Sequence, residues 1–166
     1  MRFNGTILAM ANVNRAWLLD FGRGFHAAVG ANEMSHVELS MVLYEIPQTP
    51  HYCNEIVIWQ DFILPVLDIP SLMEGHKISH AHSGDVIGIA IYQEHPTLPI
   101  QSAALHLATT PVNIHVSDED ACPLPIDQQQ WQPLALACFK HHGMVIPILN
   151  LAYLFSAQFN KLANSN

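Results

Sequence analysis

Basic residues are scarce in this chain. The 166 residues include 6 Lys and Arg against 14 Asp and Glu, so the formal net charge is −8. A protein that binds nucleic acid through its phosphates needs clustered positive charge. The charge balance therefore argues against nucleic acid as a partner.

The sequence also lacks a membrane-length apolar run and a leader-like start. The longest apolar stretch, 144–155, is interrupted by Asn150 and is shorter than the ~20 residues that a membrane helix needs. The first residues, MRFNGTILAMANVNR, lack a basic start followed by an apolar run. Cys53, Cys122 and Cys138 are widely spaced and form no CxxC motif, which is typical of buried thiols in a reducing compartment. We expect a cytoplasmic protein with no direct membrane insertion.

Motifs for catalysis are missing as well. The sequence contains no G-x-S-x-G nucleophile motif and no glycine-rich loop that could cradle a phosphate. The acidic run 118–120 lies in a polar loop, where water relieves the repulsion between the carboxylates. We therefore expect a protein that is not an enzyme and that has no catalytic residues and no cofactor.

An internal repeat is the strongest positive feature. FILPVLDIPSLM (62–73) and MVIPILNLAYLF (144–155) align without gaps at a constant offset of 82 residues, with proline on proline and Asp68 on Asn150. That spacing is too long for a solenoid unit and suits a duplicated module. Half of the residues are hydrophobic, so the chain has enough apolar side chains for a real core.

Each copy of the repeat is preceded by another apolar run, which predicts a strand, a polar turn, a second strand and a helix start. Pro65 and Pro147 have no backbone N–H, which predicts an edge position or a bulge. Asp68 and Asn150 precede the helix-like segments and are predicted N-caps. The predicted units span 55–73 and 134–155, with turns at 60–61 and 140–143.

Further apolar or alternating runs between turn residues predict additional strands at 16–21, 86–93, 103–108 and 112–116. The tail 151–164 carries apolar residues at helical spacing and predicts a C-terminal helix. We expect a mainly β protein with two similar lobes, a loose segment at 1–14 and a single domain at 15–166. Met34, Phe62 and Val66 are predicted core residues.

The segment around the first copy of the repeat resembles the CheW-like domain of bacterial chemosensory systems. The residues that fall on the signature of this family are Pro50, Tyr52, Ile56, Trp59, Ile63, Leu64, Pro65, Val66, Leu67, Asp68 and Ile69. The resemblance implies two five-stranded, SH3-like β-barrels around a shared core. It also implies a non-catalytic adaptor that links chemoreceptor cytoplasmic tips to the regulatory domain of a histidine kinase. AALHLATTPV (103–112) is closer to the pilus-associated, twitching-motility branch.

The departures from the family pattern lie at polar positions. Gln60 and Asp61 stand where the family has a basic residue and a glycine, Glu55 replaces another glycine, and His36 replaces a glutamate. Trp59 beside the turn has the character of either a binding anchor or a core residue. The resemblance therefore implies a divergent adaptor whose partner-binding residues are His36, Glu55, Trp59, Gln60 and Asp61.

The histidines support an alternative interpretation. HKISHAHSGD brings His76, His80, His82 and Asp85 close together in the sequence, and imidazole and carboxylate groups are common metal ligands. The alternative function is therefore a small-ligand or metal-binding β-barrel. The glycines and serines of this segment favour an exposed linker between the lobes, and we predict no metal site.

Overall fold

The computed structural model describes residues 13–80, 85–156 and 159. In chain order, the strands are β1 (Val13–Gly22), β2 (Phe25–Gly30), β3 (Met34–Leu39), β4 (Tyr44–Glu45), β5 (Glu55–Trp59), β6 (Phe62–Leu67), β7 (Val86–Tyr92), β8 (Gln101–Leu107), β9 (Val112–Ser117), β10 (Ala121–Cys122), β11 (Ala135–His141) and β12 (Met144–Leu149). The α-helices are α1 (Ile69–Glu74) and α2 (Leu151–Leu154). Short 3-10 helices span Ala31–Glu33, Asp118–Asp120 and Ile126–Trp131.

The strands form two sheets, one in each lobe. The sheet of lobe 1 has the order β3-β7-β8-β6-β5-β4, and that of lobe 2 has the order β10-β11-β12-β2-β1-β9. Each sheet contains five strands of at least five residues and one strand of two residues. The expected mainly β fold with two five-stranded lobes is confirmed. Lobe 2 combines β1 and β2 with the C-terminal strands, so the two lobes are interleaved along the chain.

A shared core joins the lobes. Buried side chains from both sheets form its main cluster, which includes Leu19, Phe21, Val29, Leu105, Leu107 and Leu149. A second cluster fills lobe 1, with Val57, Leu64, Val66, Ile87 and Ile89 among its members. A third fills lobe 2 around Ala28, Phe139 and Ile146. Removal of this apolar surface from water is the main term that holds the two lobes together.

The two copies of the repeat form equivalent hairpins with two-residue turns. Gln60 and Asp61 have φ angles of 48° and 66°, and His142 and Gly143 have φ angles of 47° and 79°. Two successive positive φ values are the pattern of a type I′ turn, which matches the twist of the flanking strands. The predicted first turn at 60–61 is therefore confirmed.

The second turn is shorter than the sequence predicted. Lys140 and His141 belong to β11, where they pair with Val145 and Met144 of β12. A type I′ turn needs only two residues, so His142 and Gly143 complete the reversal and the strand continues up to them. The predicted four-residue turn at 140–143 was wrong for this reason.

The prolines and caps of the repeat behave as predicted. Residues before Pro65 in β6 pair only with β5, and parallel pairing with β8 begins at Val66. In the same way, Ile148, directly after Pro147, pairs with β2. The missing N–H of each proline thus falls in the half of the strand that has a neighbour on one side only. Asp68 and Asn150 cap α1 and α2 with their side chains, and both predictions are confirmed.

Two details at the ends of the chain differ from the expectation. Val13 and Asn14, assigned to the loose segment, pair with β9, so β1 starts before residue 15. The helix α2 covers only Leu151–Leu154, although Phe159 beyond it is buried. Residues 1–12, 157–158 and 160–166 lie outside the described part of the chain, and so does half of the predicted C-terminal helix.

The duplicated turn allows a reciprocal test of backbone strain. Asp61→Gly should raise the free energy of unfolding by about 0.5 kcal/mol, because glycine adopts positive φ without a steric cost. Gly143→Asp should lower it by a similar amount, since no atom lies within 4 Å of the added Cβ and only the backbone conformation opposes it. Urea titration of both variants measures these changes, and shifts of the same sign would contradict the equivalence of the two turns.

Candidate partner-binding surface

The turn of the β5–β6 hairpin lies at one end of lobe 1, beside His36 and Trp59. The ring centroids of these two residues are 5.8 Å apart. β3, which carries His36, is at one edge of the sheet, whereas β5 lies near the other edge. The contact between them means that the sheet curls into a barrel. It also places His36 and Trp59, which are 23 positions apart in the sequence, on one surface.

This end of the barrel is partly open to solvent. Gln60 and Asp61 are exposed, and the His36 imidazole is half exposed, with Nε2 3.2 Å from Glu38 Oε1. Trp59 is half-buried and packs against the interior cluster of lobe 1. It therefore serves the core and presents an edge to the surface, so neither of the two expectations for Trp59 describes it alone. The structure places His36, Trp59, Gln60 and Asp61 together.

Glu55 is separate from the other four predicted residues. It begins β5, four residues before Trp59, which puts it about 13 Å away along an extended strand. Its Oε2 lies 3.4 Å from Lys77 Nζ, and the same ammonium donates a hydrogen bond to Asn54 Oδ1 at 2.8 Å. Glu55 thus belongs to a polar group at the opposite end of the hairpin.

An exposed apolar surface lies between these two ends, and sequence reasoning missed it. The outer apolar patch consists of Tyr44, Ile56, Ile58, Ile63 and Pro65. Ile58 and Ile63 are directly opposite in the hairpin, and their exposed fractions are 54% and 68%. One rung further, Ile56 is flanked by Pro65 on one side and Tyr44 on the other. Because directly paired residues share a face, these side chains form one continuous patch.

Phe62 adds to the apolar character of this end. Met34 and Val66 are buried, as predicted, but Phe62 is 65% exposed. It lies opposite Trp59 in the first pair of the hairpin, and within the described residues β6 pairs with β8 only from Val66 onwards, so no second strand lies beside Phe62. The prediction that Phe62 is a core residue was therefore wrong. EIVIW and FILPV are nearly continuous apolar runs, and because side chains alternate between the two faces of a strand, such runs could have indicated an apolar outer face as well as an apolar inner one.

The histidine-bearing segment that we interpreted as a linker between the lobes connects α1 to β7 within lobe 1. His76 is exposed, but His80 is only 23% exposed and its Nε2 lies 2.7 Å from Asp68 Oδ2. Asp85 Oδ1 lies 3.0 Å from Nε2 of the buried His106, whose ring contacts that of His80 in a tilted arrangement, with centroids 4.1 Å apart. The predicted solvated linker is wrong for His80 and Asp85, because both hold tertiary contacts.

The arrangement around Asp68 is that of a cap, with no activated nucleophile. Asp68 accepts hydrogen bonds from the Ser71 backbone N–H at 3.1 Å and from Ser71 Oγ at 2.6 Å. The carboxylate stands between the hydroxyl and the His80 imidazole, whereas a catalytic serine needs the imidazole beside its own hydroxyl. Burial raises the pKa of Asp68, but the hydrogen bonds from His80 and Ser71 outweigh it and hold this pKa below its ordinary value.

Of the residues of the alternative metal site, His80 and Asp85 are thus committed to other partners. Within residues 13–80, 85–156 and 159, no group of three or more His, Cys, Asp or Glu side chains has an arrangement that could hold a metal ion. His82 lies outside the described residues. The same part of the chain contains no helix that is both long and apolar enough to span a membrane.

Two curled β lobes around a shared core, each with the repeated hairpin and capped helix, define a CheW-like fold. The solved structure of the scaffolding protein TtCheW from Thermoanaerobacter tengcongensis matches this chain with a TM-score of 0.71 and 17% sequence identity, over 88% of this chain and 94% of that one. No protein-family model and no curated protein matches the chain. The likeness is therefore one of fold, with little sequence identity.

Proposed function

We propose that this protein is a divergent CheW-like adaptor that couples a chemoreceptor cytoplasmic tip to the regulatory domain of a sensor histidine kinase in the cytoplasm. The observation that carries the proposal is the fold, which is similar to a scaffolding protein over most of both chains. The quoted signature residues support it, since most of them lie in the β5–β6 hairpin and at the start of α1. In this proposal the protein has no catalytic activity and needs no cofactor.

The outer apolar patch is the proposed source of binding affinity. Ile58 and Ile63 are more than half exposed in the centre of a regular hairpin, so a partner can cover them without rearranging the backbone. Single exposed apolar residues are ordinary, whereas a contiguous patch on one face is typical of an interaction surface. Trp59, which lies on the inner face of β5 at the open end of lobe 1 and so borders the patch, is the proposed anchor, because partly buried aromatic residues dominate many interfaces.

The polar residues around this patch are the proposed determinants of partner choice. Asp61 stands at the tip, whereas Glu45 and Glu55 are paired at the opposite end of the hairpin. Charges at the rim of an interface influence the choice of partner and the association rate more than the final affinity. We therefore propose a partner that lacks, or has moved, the carboxylate that would pair with a basic residue at position 60. The pilus-associated branch is the proposed pathway.

Binding to two purified kinase regulatory domains tests the adaptor and its specificity together. We expect the wild type to bind the domain from its own organism, and to bind the domain of a flagellar chemotaxis kinase more weakly. Gln60→Arg should strengthen the second interaction about tenfold, because a charged hydrogen bond contributes about 1.5–3 kcal/mol before other costs. Its melting temperature should change little, since position 60 is exposed. Isothermal titration calorimetry and thermal unfolding provide the two measurements.

Gln48→Arg is the matched control for this substitution. Gln48 is exposed and has a φ angle of 62°, so the new side chain meets the same backbone conformation in a different loop. It should change neither interaction. Full-strength binding of the wild type to the flagellar kinase domain would contradict the proposed specificity. Failure to bind any kinase regulatory domain or receptor tip would contradict the adaptor function itself.

A further inference from the structure

Cys122 and Cys138 face each other at the edge of lobe 2. β10 is a two-residue strand at the end of the sheet, and its register with β11 places Cys122 directly opposite Cys138. Side chains of directly opposite residues lie on the same face, with Cβ atoms about 4.5–5.5 Å apart. Both cysteines are free thiols, although 15 residues separate them in the sequence. Their spacing gave no indication of this pairing.

The backbone pattern defines how the two residues are paired. On its other side, Cys138 lies opposite Pro147 of β12. Proline has no N–H, so this is the non-hydrogen-bonded pair, and the N–H and C=O of Cys138 point towards β10. Cys122 and Cys138 are therefore a hydrogen-bonded pair, with Cα atoms about 5.5 Å apart. That separation lies within the range of about 4.4–6.8 Å found in disulfides.

A disulfide here would be strained but accessible. Disulfides bring their Cβ atoms to about 3.5–4.5 Å, somewhat closer than a hydrogen-bonded strand pair holds them. The required shift is small, and β10 is a short edge strand with a neighbour on one side only. Strained disulfides are more easily reduced than relaxed structural ones. The geometry is thus that of a reversible link.

We propose that Cys122 and Cys138 form an intramolecular disulfide by exchange with a low-molecular-weight disulfide of the glutathione class. The Cys122 thiolate, which is less buried than that of Cys138, attacks oxidised glutathione, which forms a mixed disulfide and releases one glutathione thiolate. The Cys138 thiolate then attacks Cys122 Sγ and releases the second. Two electrons pass from the cysteines to the oxidant, and the two cysteine protons end on the released glutathione thiols.

The link would restrain one wall of a cavity. The chain between the two cysteines carries the 3-10 helix Ile126–Trp131, which lines a cavity of ≈ 530 Å³ together with residues of the β1–β2 turn. Trp131 of this segment contacts Phe25 edge-on, with ring centroids 6.3 Å apart. Oxidation would link Cys122, at the start of this segment, to Cys138 in β11, the strand that follows it. The cavity wall would therefore open less readily in the oxidised protein.

Cys53 provides an internal control. It is half-buried, and burial raises the pKa of its thiol, so its reactive thiolate is scarce. Burial, and secondarily the neighbouring Cys122, also raises the pKa of the Cys138 thiol. The second exchange step should therefore accelerate as the pH rises. Cys53 lies in the loop between β4 and β5 and belongs to no strand, so no cysteine is paired opposite it in the sheets of the described residues.

The test is incubation of the reduced, folded full chain with millimolar oxidised glutathione. Wild type and Cys53→Ser should each lose two free thiols and two hydrogen atoms of mass, and peptide mapping should link 122 to 138. The melting temperature should rise by about 3–10 °C and return after dithiothreitol. Cys122→Ser and Cys138→Ala should show neither the link nor the shift.

Several outcomes would overturn the proposal. One is a glutathione adduct that remains on Cys122 without conversion to the internal link. Another is a link that includes Cys53, or one that joins two chains and appears as a dimer on a non-reducing gel. Because these readouts come from the wild type under native conditions, they do not depend on whether the Cys138 variant folds. The outcome is also independent of kinase binding, so it tests this site separately from the proposed function.

Discussion

Ile63→Asp is expected to weaken binding to the kinase regulatory domain or the receptor tip at least a hundredfold, a change of about 3 kcal/mol. The substitution places an unpaired carboxylate in the centre of the outer apolar patch, where a bound partner would remove it from water. Ile63 is 68% exposed in the free protein, so the folded state should lose no more than about 1 kcal/mol of strand propensity. Calorimetric titration measures the binding, and urea unfolding measures the stability.

Ile126→Asp is the control for this prediction. Ile126 is 92% exposed, and it lies in lobe 2, away from the hairpin. Its replacement makes the same chemical change outside the patch and should leave binding unaffected. Ile63→Thr, which keeps the branched β-carbon, should weaken binding about tenfold through lost apolar contact alone. If Ile63→Asp and Ile126→Asp bound equally well, the outer apolar patch would not be the interface.

Asp68→Ala is expected to lower the free energy of unfolding by about 3 kcal/mol. The loss combines the N-cap of α1, worth about 1 kcal/mol, with the cost of leaving His80 and Ser71 without their shared acceptor, about 1–3 kcal/mol. For a chain of this length the melting temperature should fall by roughly 6–12 °C. Thermal and urea unfolding of the wild type and the variant measure the effect.

The second copy of the repeat supplies the matched control. Asn150 caps α2 through the Tyr153 backbone N–H at 3.1 Å, but it holds no imidazole. Asn150→Ala should therefore cost only about 1 kcal/mol, the value of the cap alone. Asp68→Asn should fall between the two alanine variants, because it keeps a cap acceptor and removes the charge. Equal losses for Asp68→Ala and Asn150→Ala would mean that the His80 contact contributes nothing.

The carboxylate also predicts a dependence on pH. The pKa of Asp68 in the folded protein lies below its ordinary value of 3.8, because the hydrogen bonds from His80 and Ser71 outweigh the opposing effect of burial. A group with a lowered pKa stabilises the fold fully above its unfolded pKa, and the contribution is lost as the pH falls through the folded value. Below about pH 4 the wild type should therefore lose stability more steeply than Asp68→Asn.

The hairpins could be predicted from the sequence because the residues that determine each of them lie close together in the chain. The apolar runs, the polar pair at 60–61 and the N-cap Asp68 lie within a few residues of one another, and a similar pattern recurs 82 residues later. The second turn was predicted two residues too long because polarity alone does not distinguish a strand end from a turn. Lys140 and His141 are polar, yet they complete the ladder of β11.

The candidate site was only partly accessible to the same reasoning. His36 and Trp59 were both predicted, but their contact depends on the curl of the sheet, which joins strands far apart in the sheet order. Glu55 was predicted as part of the same site, although the extended strand carries it to the opposite end of the hairpin. The outer apolar patch went unnoticed because the apolar residues of these strands were interpreted as parts of the lobe interior, whereas Ile58 and Ile63 lie on the outer face and are more than half exposed.

By itself the sequence determined that the protein is a duplicated, mainly β module, which strand of each hairpin pairs with which, and where the short helices begin. These features depend on side-chain period, turn chemistry and caps, all of which act over a few residues. Only the tertiary structure decided which side chains from distant segments meet within each lobe: His80 with Asp68 and His106 with Asp85 in lobe 1, and Cys122 with Cys138 in lobe 2. Those pairs depend on how the sheets are ordered and curled, because the packing of the whole core, and not any local pattern, brings distant segments together.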